Sequence, residues 1–264
     1  MDTMSCGPDS FQVSCVSVFP NERYVCGVNT ARGSAKGVKR VIRGVYVIPM
    51  GMANAFLIES DNGLTLIDAG YPRKEAAVFR AIREIGRSPH ELHDLIFTHG
   101  HPDHIDSAAA IVRETGARTY MHALDIPLAE SGGPFRPLTA APGLLRRLLC
   151  KLLFDPDRRV EPVAIDQPLA PSEILPIAGG IEVIHAPGHC AGQVALLWRA
   201  RRMLFAGDMC SNIMGLGDPL GFESLKEGRA SQRKLARLSL DAAGFGHGRP
   251  IAREASTCFR NKWG

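Results

Sequence analysis

Residues 95–104 of this chain read LIFTHGHPDH, an apolar run followed at once by three histidines and an aspartate in the pattern H-x-H-x-D-H. Imidazole nitrogens and carboxylate oxygens are the ligands of zinc and of neighbouring transition metals. A lone histidine is usually a surface or core residue, but four ligand-type side chains within six positions favour a metal site. The candidate ligands are His99, His101, Asp103 and His104. A loop that leaves a buried strand can direct alternate side chains at two different ions.

The composition of the whole chain narrows the class of protein. With 264 residues, 45% hydrophobic and 22% charged, the chain is long enough for one large domain with a buried core. The net charge of +4 is too small to predict binding to nucleic acid or an acidic membrane, and no window reaches transmembrane length. The 7 cysteines include no CxxC pair, so no disulfide framework is predicted and a cytoplasmic location is expected. The expected partner is a small-molecule substrate.

Hydrophobic periodicity predicts alternating strands and helices from about residue 38 onwards. Residues 1–37 lack a clear period and are expected to form a loosely ordered N-terminal extension. The predicted strands are 41–48, 54–59, 64–67, 95–97 and 119–121, with a helix that stops at Gly86 and a second helix at 105–115. This order is typical of an α/β fold, and residues 38–264 are predicted to form one catalytic domain.

Residues 123–175 interrupt this alternation and are interpreted as an inserted helical segment. The sequence LLRRLLCKLL at 144–153 places leucines on one stripe and basic residues opposite, which predicts an amphipathic helix. The helix is interpreted as part of a lid or of a homodimer contact. A helix packed on its own domain fits the pattern about as well, and a membrane-surface helix fits less well because the segment is short.

Three further candidate ligands follow predicted strands in the second half of the chain. His189 lies in the turn HAPGHC after a strand at 181–184, where proline and glycine bend the chain. Asp208 follows a strand at 203–206, and its two oxygens are suited to bridging two cations. His247 stands between glycines that permit close approach of the backbone.

The H-x-H-x-D-H motif, the Pro-Gly-His turn, the strand ending in Gly-Asp and the late Gly-His-Gly together resemble the metallo-β-lactamase superfamily of binuclear metal hydrolases over about residues 38–250. The resemblance implies a four-layer αβ/βα sandwich with the metals at one edge between the sheets. It assigns His99, His101 and His189 to one ion, Asp103, His104 and His247 to the other, and Asp208 to the bridge. Asp68 has two interpretations: it holds a ligand histidine in its tautomer, or it caps the helix after Pro72.

The chemistry that the resemblance implies is hydrolysis by a hydroxide held between two zinc ions, with Asp103 passing the proton to the leaving group. The bond would be an ester, lactone, thioester or lactam of a small molecule, and iron or manganese would also suit these ligands. The alternative is an oxygenase of the persulfide dioxygenase type, which uses one iron. The substrate pocket is expected between residues 50–54, the loop 211–222 and the inserted segment.

Particular residues narrow the choice of subfamily that the chain resembles. Asp208 resembles the glyoxalase-II-like and lactonase-like ligand sets rather than that of true β-lactamases. Only 38 residues separate Asp208 from His247, which leaves no room for the glutathione-binding domain of a glyoxalase II. The tyrosine that lactonases place near the bridging ligand has no evident match among Tyr24, Tyr46, Tyr71 and Tyr120. Cys190 and Cys210 flank ligands and are interpreted as packing residues, with sulfur ligation left open.

Overall fold

The computed structural model describes residues 38–264, so the predicted extension at 1–37 lies outside the described residues. Within the described range, the strands are β1 (Lys39–Ile42), β2 (Val45–Pro49), β3 (Asn54–Ser60), β4 (Gly63–Ile67), β5 (Leu92–Ile96), β6 (Arg118–His122), β7 (Thr139–Ala140), β8 (Gln167–Leu169), β9 (Ile174–Leu175), β10 (Ile181–His185), β11 (Val194–Trp198), β12 (Met203–Phe205), β13 (Gly221–Phe222) and β14 (Ala242–Gly244). The helices are α1 (Glu75–Glu84), α2 (Pro102–Ile105), α3 (Ala108–Thr115), α4 (Ile126–Ser131), α5 (Leu144–Leu153), α6 (Leu225–Ala236) and α7 (Ala255–Trp263).

The strands form two main sheets. The first has seven strands in the order β1-β2-β3-β4-β5-β6-β8, antiparallel from β1 to β4 and parallel from β4 to β8. The second has five strands in the order β14-β12-β11-β10-β9, and its β12 and β14 are parallel. A short pair, β7 with β13, joins the inserted segment to the loop before α6.

Three apolar clusters separate four layers. In β3, Leu57 faces one way and packs in the cluster that contains Val78 of α1 and Ile111 of α3. Its neighbour Phe56 points to the opposite face, as alternate strand residues do, and packs with Phe205 of the second sheet. A third cluster fills the space between the second sheet and helices α6 and α7. The predicted αβ/βα sandwich is confirmed.

Two element boundaries differ from the prediction. The strand expected at 41–48 is a hairpin of β1 and β2, because Gly44 adopts φ 77° and reverses the chain. The helix expected at 105–115 is two helices, α2 and α3. Ser107 separates them, and its hydroxyl donates to the Tyr71 carbonyl at 2.6 Å and accepts from the Lys74 amide at 2.9 Å. Side-chain bonds to a neighbouring loop therefore override helix periodicity at this point.

The inserted segment carries α4 and α5, and its last part supplies β8 and β9 to the two sheets. Helix α5 has the predicted bounds. Most of its leucines face solvent in the described structure, with Leu144 84% and Leu152 69% exposed, while Cys150 is buried. No helix among residues 38–264 is long and apolar enough to cross a membrane.

Candidate metal centre

All seven predicted ligands come together at one edge of the two sheets. The H-x-H-x-D-H loop follows β5, while Asp208 follows β12 and His247 follows β14. Parallel neighbours such as β12 and β14 end at the same edge, so residues that follow them lie close together. His189 reaches the same place from the turn after β10. Each sheet therefore contributes part of the centre.

The first set of ligands, called here the three-histidine group, consists of His99, His101 and His189. Their side chains are buried, and one nitrogen of each lies within 4.8 Å of the others. His101 Nδ1 lies 2.9 Å from His189 Nε2. The ring of Phe154, which directly follows α5, lies 5.6 Å from that of His101 between centroids, so the inserted segment lies beside this group.

The second set, called here the acidic group, consists of Asp103, His104 and His247, again with one ligand atom of each within 4.8 Å of the others. His247 Nε2 lies 3.1 Å from Asp103 Oδ2, and His104 Nε2 lies 3.8 Å from the same oxygen. Asp103 and His247 are the two more accessible members, with side chains 23% and 19% exposed. This group therefore lies at the open side of the centre.

Asp208 lies between the two groups. Its Oδ1 is 3.5 Å from His104 Nε2 in the acidic group, and its Oδ2 is 3.7 Å from His189 Nε2 in the three-histidine group. Oδ2 is also 3.0 Å from His247 Nε2. Gly246 leaves room for this arrangement, since a Cβ there would lie 2.0 Å from Asp208 Oδ1. One carboxylate thus touches both groups, as expected of a bridging ligand.

Most of the ligand histidines have their outward ring nitrogen held by a hydrogen bond. The pairs are His99 Nδ1 with Thr98 Oγ1 at 3.0 Å, His104 Nδ1 with Asp68 Oδ2 at 2.9 Å, His189 Nδ1 with the Gly221 carbonyl at 2.8 Å, and His247 Nδ1 with the Met52 carbonyl at 2.9 Å. Donation from Nδ1 to a carboxylate or carbonyl oxygen fixes the tautomer and leaves Nε2 as an acceptor facing the centre.

The structure distinguishes the two interpretations of Asp68. Helix α1 begins after Lys74 without a side-chain cap, so Asp68 does not cap it. Its buried carboxylate instead accepts the Thr98 amide at 2.8 Å and faces His104 Nδ1. Asp68 itself adopts φ 61°, a left-handed conformation that a non-glycine residue seldom takes without compensating contacts.

Unpartnered buried atoms show that the residues fit a metal. Nε2 of His99, His101 and His104 and Oδ1 of Asp208 are buried and have no hydrogen-bond partner among residues 38–264. Leaving a polar atom buried and unsatisfied costs about 1–3 kcal/mol, so a cluster of such atoms is unfavourable on its own. His99, His104 and Asp208 have ligand atoms within 4.8 Å of one another, so a cation there would satisfy three of these atoms, and nitrogen with carboxylate oxygen suits zinc, iron or manganese.

The two groups differ in charge when no cation is bound. Burial lowers the pKa of His99 well below its usual range and lowers the pKa of His101 to about 3. Burial opposes protonation of His104 too, but Asp68, Asp103 and Asp208 outweigh it and raise its pKa to about 10. The pKa of His247 is likewise raised well above its usual value, because Asp208 and Asp103 overcome burial.

The chain is similar in sequence to known metal-dependent proteins. The sequence model of the metallo-β-lactamase superfamily matches residues 48–247. The chain belongs to the metallo-β-lactamase superfamily. A probable metallo-hydrolase of Bacillus subtilis strain 168, YflN, is 27% identical over 228 residues, which cover 79% of this chain and 85% of that protein. Superfamily membership and this similarity support a metal-dependent hydrolase, as predicted.

Solved structures of the superfamily share the fold. The β-lactamase from Chitinophaga pinensis aligns with a TM-score of 0.65 and 19% identity, covering 88% of this chain and 93% of that one. BJP-1, a subclass B3 metallo-β-lactamase of Bradyrhizobium japonicum, aligns with a TM-score of 0.63 and 19% identity, covering 85% and 89%. At such identity the likeness shows the fold alone.

Sequence reasoning missed several residues around the metallo-β-lactamase centre. Tyr71 had no evident match to the tyrosine of the lactonases. Burial raises the pKa of its hydroxyl, and the negative charge of the nearby Asp103 raises that pKa further, so Tyr71 lies close to the centre. The Arg158 guanidinium lies 5.8 Å from the centroid of the Tyr71 ring. Asp125 is fully buried and hydrogen-bonded to both ligand loops. No spacing pattern pointed to these residues, because each reaches the site from a separate part of the chain.

The cysteines and remaining histidines have contacts of other kinds. The Cys190 thiol donates to Asp125 Oδ2 at 2.9 Å, and burial raises its pKa well above the usual value, so it is a neutral thiol. Among residues 38–264 the groups able to hold a metal contain histidine and aspartate without sulfur. His122 and His185 stack on each other with ring centroids 4.3 Å apart, outside those groups.

Proposed function

We propose that this protein binds two zinc ions and hydrolyses an acyl bond, an ester, lactone, thioester or lactam, in a small molecule. The observation that supports this most directly is the position of Asp208 between two ligand groups. The seven side chains form groups on both sides of this carboxylate, an arrangement that suits two ions. The proposed ligands are His99, His101 and His189 for one ion, Asp103, His104 and His247 for the other, and Asp208 between them.

The residues present define what the chain itself contributes. When bound, two zinc ions would lower the pKa of a shared water molecule far enough to supply hydroxide at neutral pH. Asp103 has its pKa lowered, since His104 and His247 outweigh the opposing effect of burial, so its carboxylate is ionised. It is also partly exposed at the open side. We propose that Asp103 accepts the proton of the attacking water and passes it to the leaving group.

The experiment that tests this function is a pH-stat assay of zinc-loaded protein against lactones, thioesters, simple esters and β-lactams. Each of these hydrolyses liberates an acid, so the readout is the same for the whole panel. The Asp208→Ala variant serves as the blank. Metal-dependent acid release that disappears in this variant supports the proposal, and equal release by the variant would contradict it.

The alternative is an oxygenase with one iron, and metal analysis separates the two. We expect two zinc ions per chain in protein purified without chelator. A single tightly bound iron, together with oxygen consumption on a persulfide and no acid release across the panel, would overturn the hydrolase. The oxygenase type shares much of this ligand set, so the number and kind of bound ions distinguish the two proposals.

Two further proposals concern the whole protein. We propose that exposed leucines of α5 form a homodimer contact, since five of them, Leu144, Leu145, Leu148, Leu152 and Leu153, are more than half exposed. A monomer by analytical ultracentrifugation at micromolar concentration would contradict this.

The cytoplasmic location predicted from the cysteine pattern is likewise a proposal, and fractionation of the producing cell would test it.

A further inference from the structure

We propose that Asp125 is a positioning residue for the three-histidine group and sets the affinity of that half of the centre for its metal ion. The inference rests on the proposed metal ligands but not on any substrate. It concerns a residue that lies outside the H-x-H-x-D-H motif and outside the set of ligands. Its test is metal binding, so it stands or falls separately from the hydrolytic activity.

Asp125 receives four donors on one buried carboxylate. Its Oδ2 accepts the Gly100 amide at 3.0 Å and the Cys190 thiol at 2.9 Å. Its Oδ1 accepts the Gly192 amide at 3.0 Å and the guanidinium of Arg136. The residue is 0% exposed. A buried carboxylate is stable only when its charge is compensated and its oxygens are satisfied, and both conditions hold here.

Three of these donors, Gly100, Cys190 and Gly192, belong to the two loops that carry the three-histidine group. Gly100 lies between His99 and His101 in the loop after β5 of the first sheet. Cys190 directly follows His189 in the turn after β10 of the second sheet. Asp125 therefore ties together two backbones from different sheets. This tie holds His101 Nδ1 and His189 Nε2 at 2.9 Å from each other.

Only an ionised carboxylate fits this position. Each oxygen faces two donors, so an asparagine would turn its NH₂ group against two donors in either orientation. Burial alone would raise the pKa of Asp125, but Cys190 and Arg136 outweigh it and the pKa is lowered. The loops are also shaped around the group, because a Cβ on Gly192 would lie 2.3 Å from Asp125 Cγ.

The contacts continue around His189. Arg136 Nε donates to Glu223 Oε1 at 2.6 Å, and Glu223 Oε2 accepts the Ala191 amide at 2.8 Å. The Glu223 amide donates to the His189 carbonyl at 3.1 Å. Arg136 belongs to the inserted segment. This segment therefore supports the three-histidine group through the carboxylates of Asp125 and Glu223. Among residues 38–264, Asp125 forms its side-chain hydrogen bonds with Gly100, Arg136, Cys190 and Gly192 and none with the acidic group, where Asp68 holds His104 instead.

The test is zinc titration of the full chain in competition with a chromophoric chelator, on Asp125→Asn and a matched control, Asp218→Asn. Asp218 is also paired with an arginine, Arg229, but among the described residues its side chain accepts only from Arg229 and Gln232 of α6. We expect Asp125→Asn to weaken one of the two zinc-binding steps by about 10–100-fold, the range typical of residues that hold metal ligands. The other step should keep its affinity.

Assignment of the weakened step uses His247→Ala, which removes a ligand of the acidic group and leaves one strong step. Adding Asp125→Asn should still weaken that step, whereas Asp218→Asn should not. Equal weakening of both steps, or loss of folding stability with both affinities unchanged, would overturn the proposal. If Asp125→Asn fails to fold, Arg136→Gln removes one donor and is expected to weaken the same step to a smaller extent. No change in either step with that variant would count against the positioning role.

Discussion

The three-histidine group and the acidic group both contact Asp208, yet the pKa values of their histidines are shifted in opposite directions. Burial keeps His99 and His101 neutral, with the pKa of His101 lowered to about 3, so nitrogen lone pairs are ready before a metal arrives. In the acidic group the carboxylates raise the pKa of His104 to about 10 against the effect of burial, so a proton occupies the position of the metal. The three-histidine group can therefore bind a cation without losing a proton, whereas the acidic group must release a proton when a cation binds.

The two groups also depend on different supporting carboxylates. Asp68 holds His104 of the acidic group, and Asp125 ties the loops of the three-histidine group. Asp68 comes directly after a strand, whereas Asp125 follows β6 and acts with Arg136 of the inserted segment. Asp68 also accepts the Thr98 hydroxyl, which pairs with His99 Nδ1, so this carboxylate contacts the acidic group directly and the three-histidine group through one side chain.

The largest expected effect comes from removing the residue that the two groups share. Asp208→Ala should lower turnover by about 10³-fold or more, because charge stabilisation by bound metal is worth several kcal/mol. Metal content should fall at both steps of a zinc titration. Loss of a single step, with the other unchanged, would show that Asp208 belongs to one group only.

Asp103→Asn separates catalysis from metal binding within the acidic group. The amide retains one oxygen for a cation but loses the charge and the capacity to accept a proton. We expect turnover to fall by about 10²–10⁴-fold, the usual contribution of general acid–base catalysis. The three-histidine step of the zinc titration should be unaffected. Turnover close to that of the parent protein would remove Asp103 from the proton-transfer role.

Asp68→Asn is the counterpart of Asp125→Asn in the other half. It should weaken the acidic step by about 10–100-fold, because His104 loses the acceptor that holds its tautomer. The three-histidine step should change less, because Asp68 reaches His99 only through the Thr98 hydroxyl. Should Asp68→Asn and Asp125→Asn have their largest effect on the same step, the assignment of Asp68 to the acidic group would be wrong.

Proton exchange gives a pH test of the difference in charge. In metal-free protein, the pKa of His104 is raised from 6.5 to about 10, so the folded state binds a proton that the unfolded state releases in this window. Its stabilising contribution is complete below pH 6.5 and is lost as the pH rises through about 10. Urea unfolding of metal-free protein should therefore show lower stability at pH 10 than at pH 7.

Zinc loading followed in weakly buffered solution gives the matching measurement. Loading the acidic half at pH 7 should release about one proton or more per ion, since its histidines must deprotonate. Loading the three-histidine half should release fewer, because His99 and His101 are already neutral. Equal proton release in both steps would contradict the difference in charge.

The smallest effect on the centre is expected from α5. Leu148→Gln with Leu152→Gln changes side chains that are 55% and 69% exposed, so each should alter the free energy of unfolding by less than about 0.5 kcal/mol. Both zinc affinities should remain as in the parent protein. If the leucines form the dimer contact, sedimentation should shift to the monomer without any change at the metal centre.

The sequence predicted the clustering of the seven candidate ligands better than it predicted the residues that support them. The H-x-H-x-D-H motif is contiguous, and His189, Asp208 and His247 each stand beside glycine or proline at a strand end, where spacing is informative. Asp125 and Arg136 carry no such pattern, because their role is defined by backbone amides about 25 and 67 positions away. The helix break at Ser107 was missed for the same reason, since its hydroxyl bonds to a distant loop.

Each ligand group draws on both halves of the chain, and this has a consequence for the order of assembly. His99 and His101 need His189, and Asp103 and His104 need His247, so neither group is complete until the two sheets have docked. Such long-range contacts form late, because the closure of a long loop must precede them. Stable metal binding would then occur only in chains that have completed folding. A chain whose two sheets have not docked would bind metal weakly and would be cleaved more readily by proteases. Metal content would therefore distinguish folded chains from incompletely folded ones.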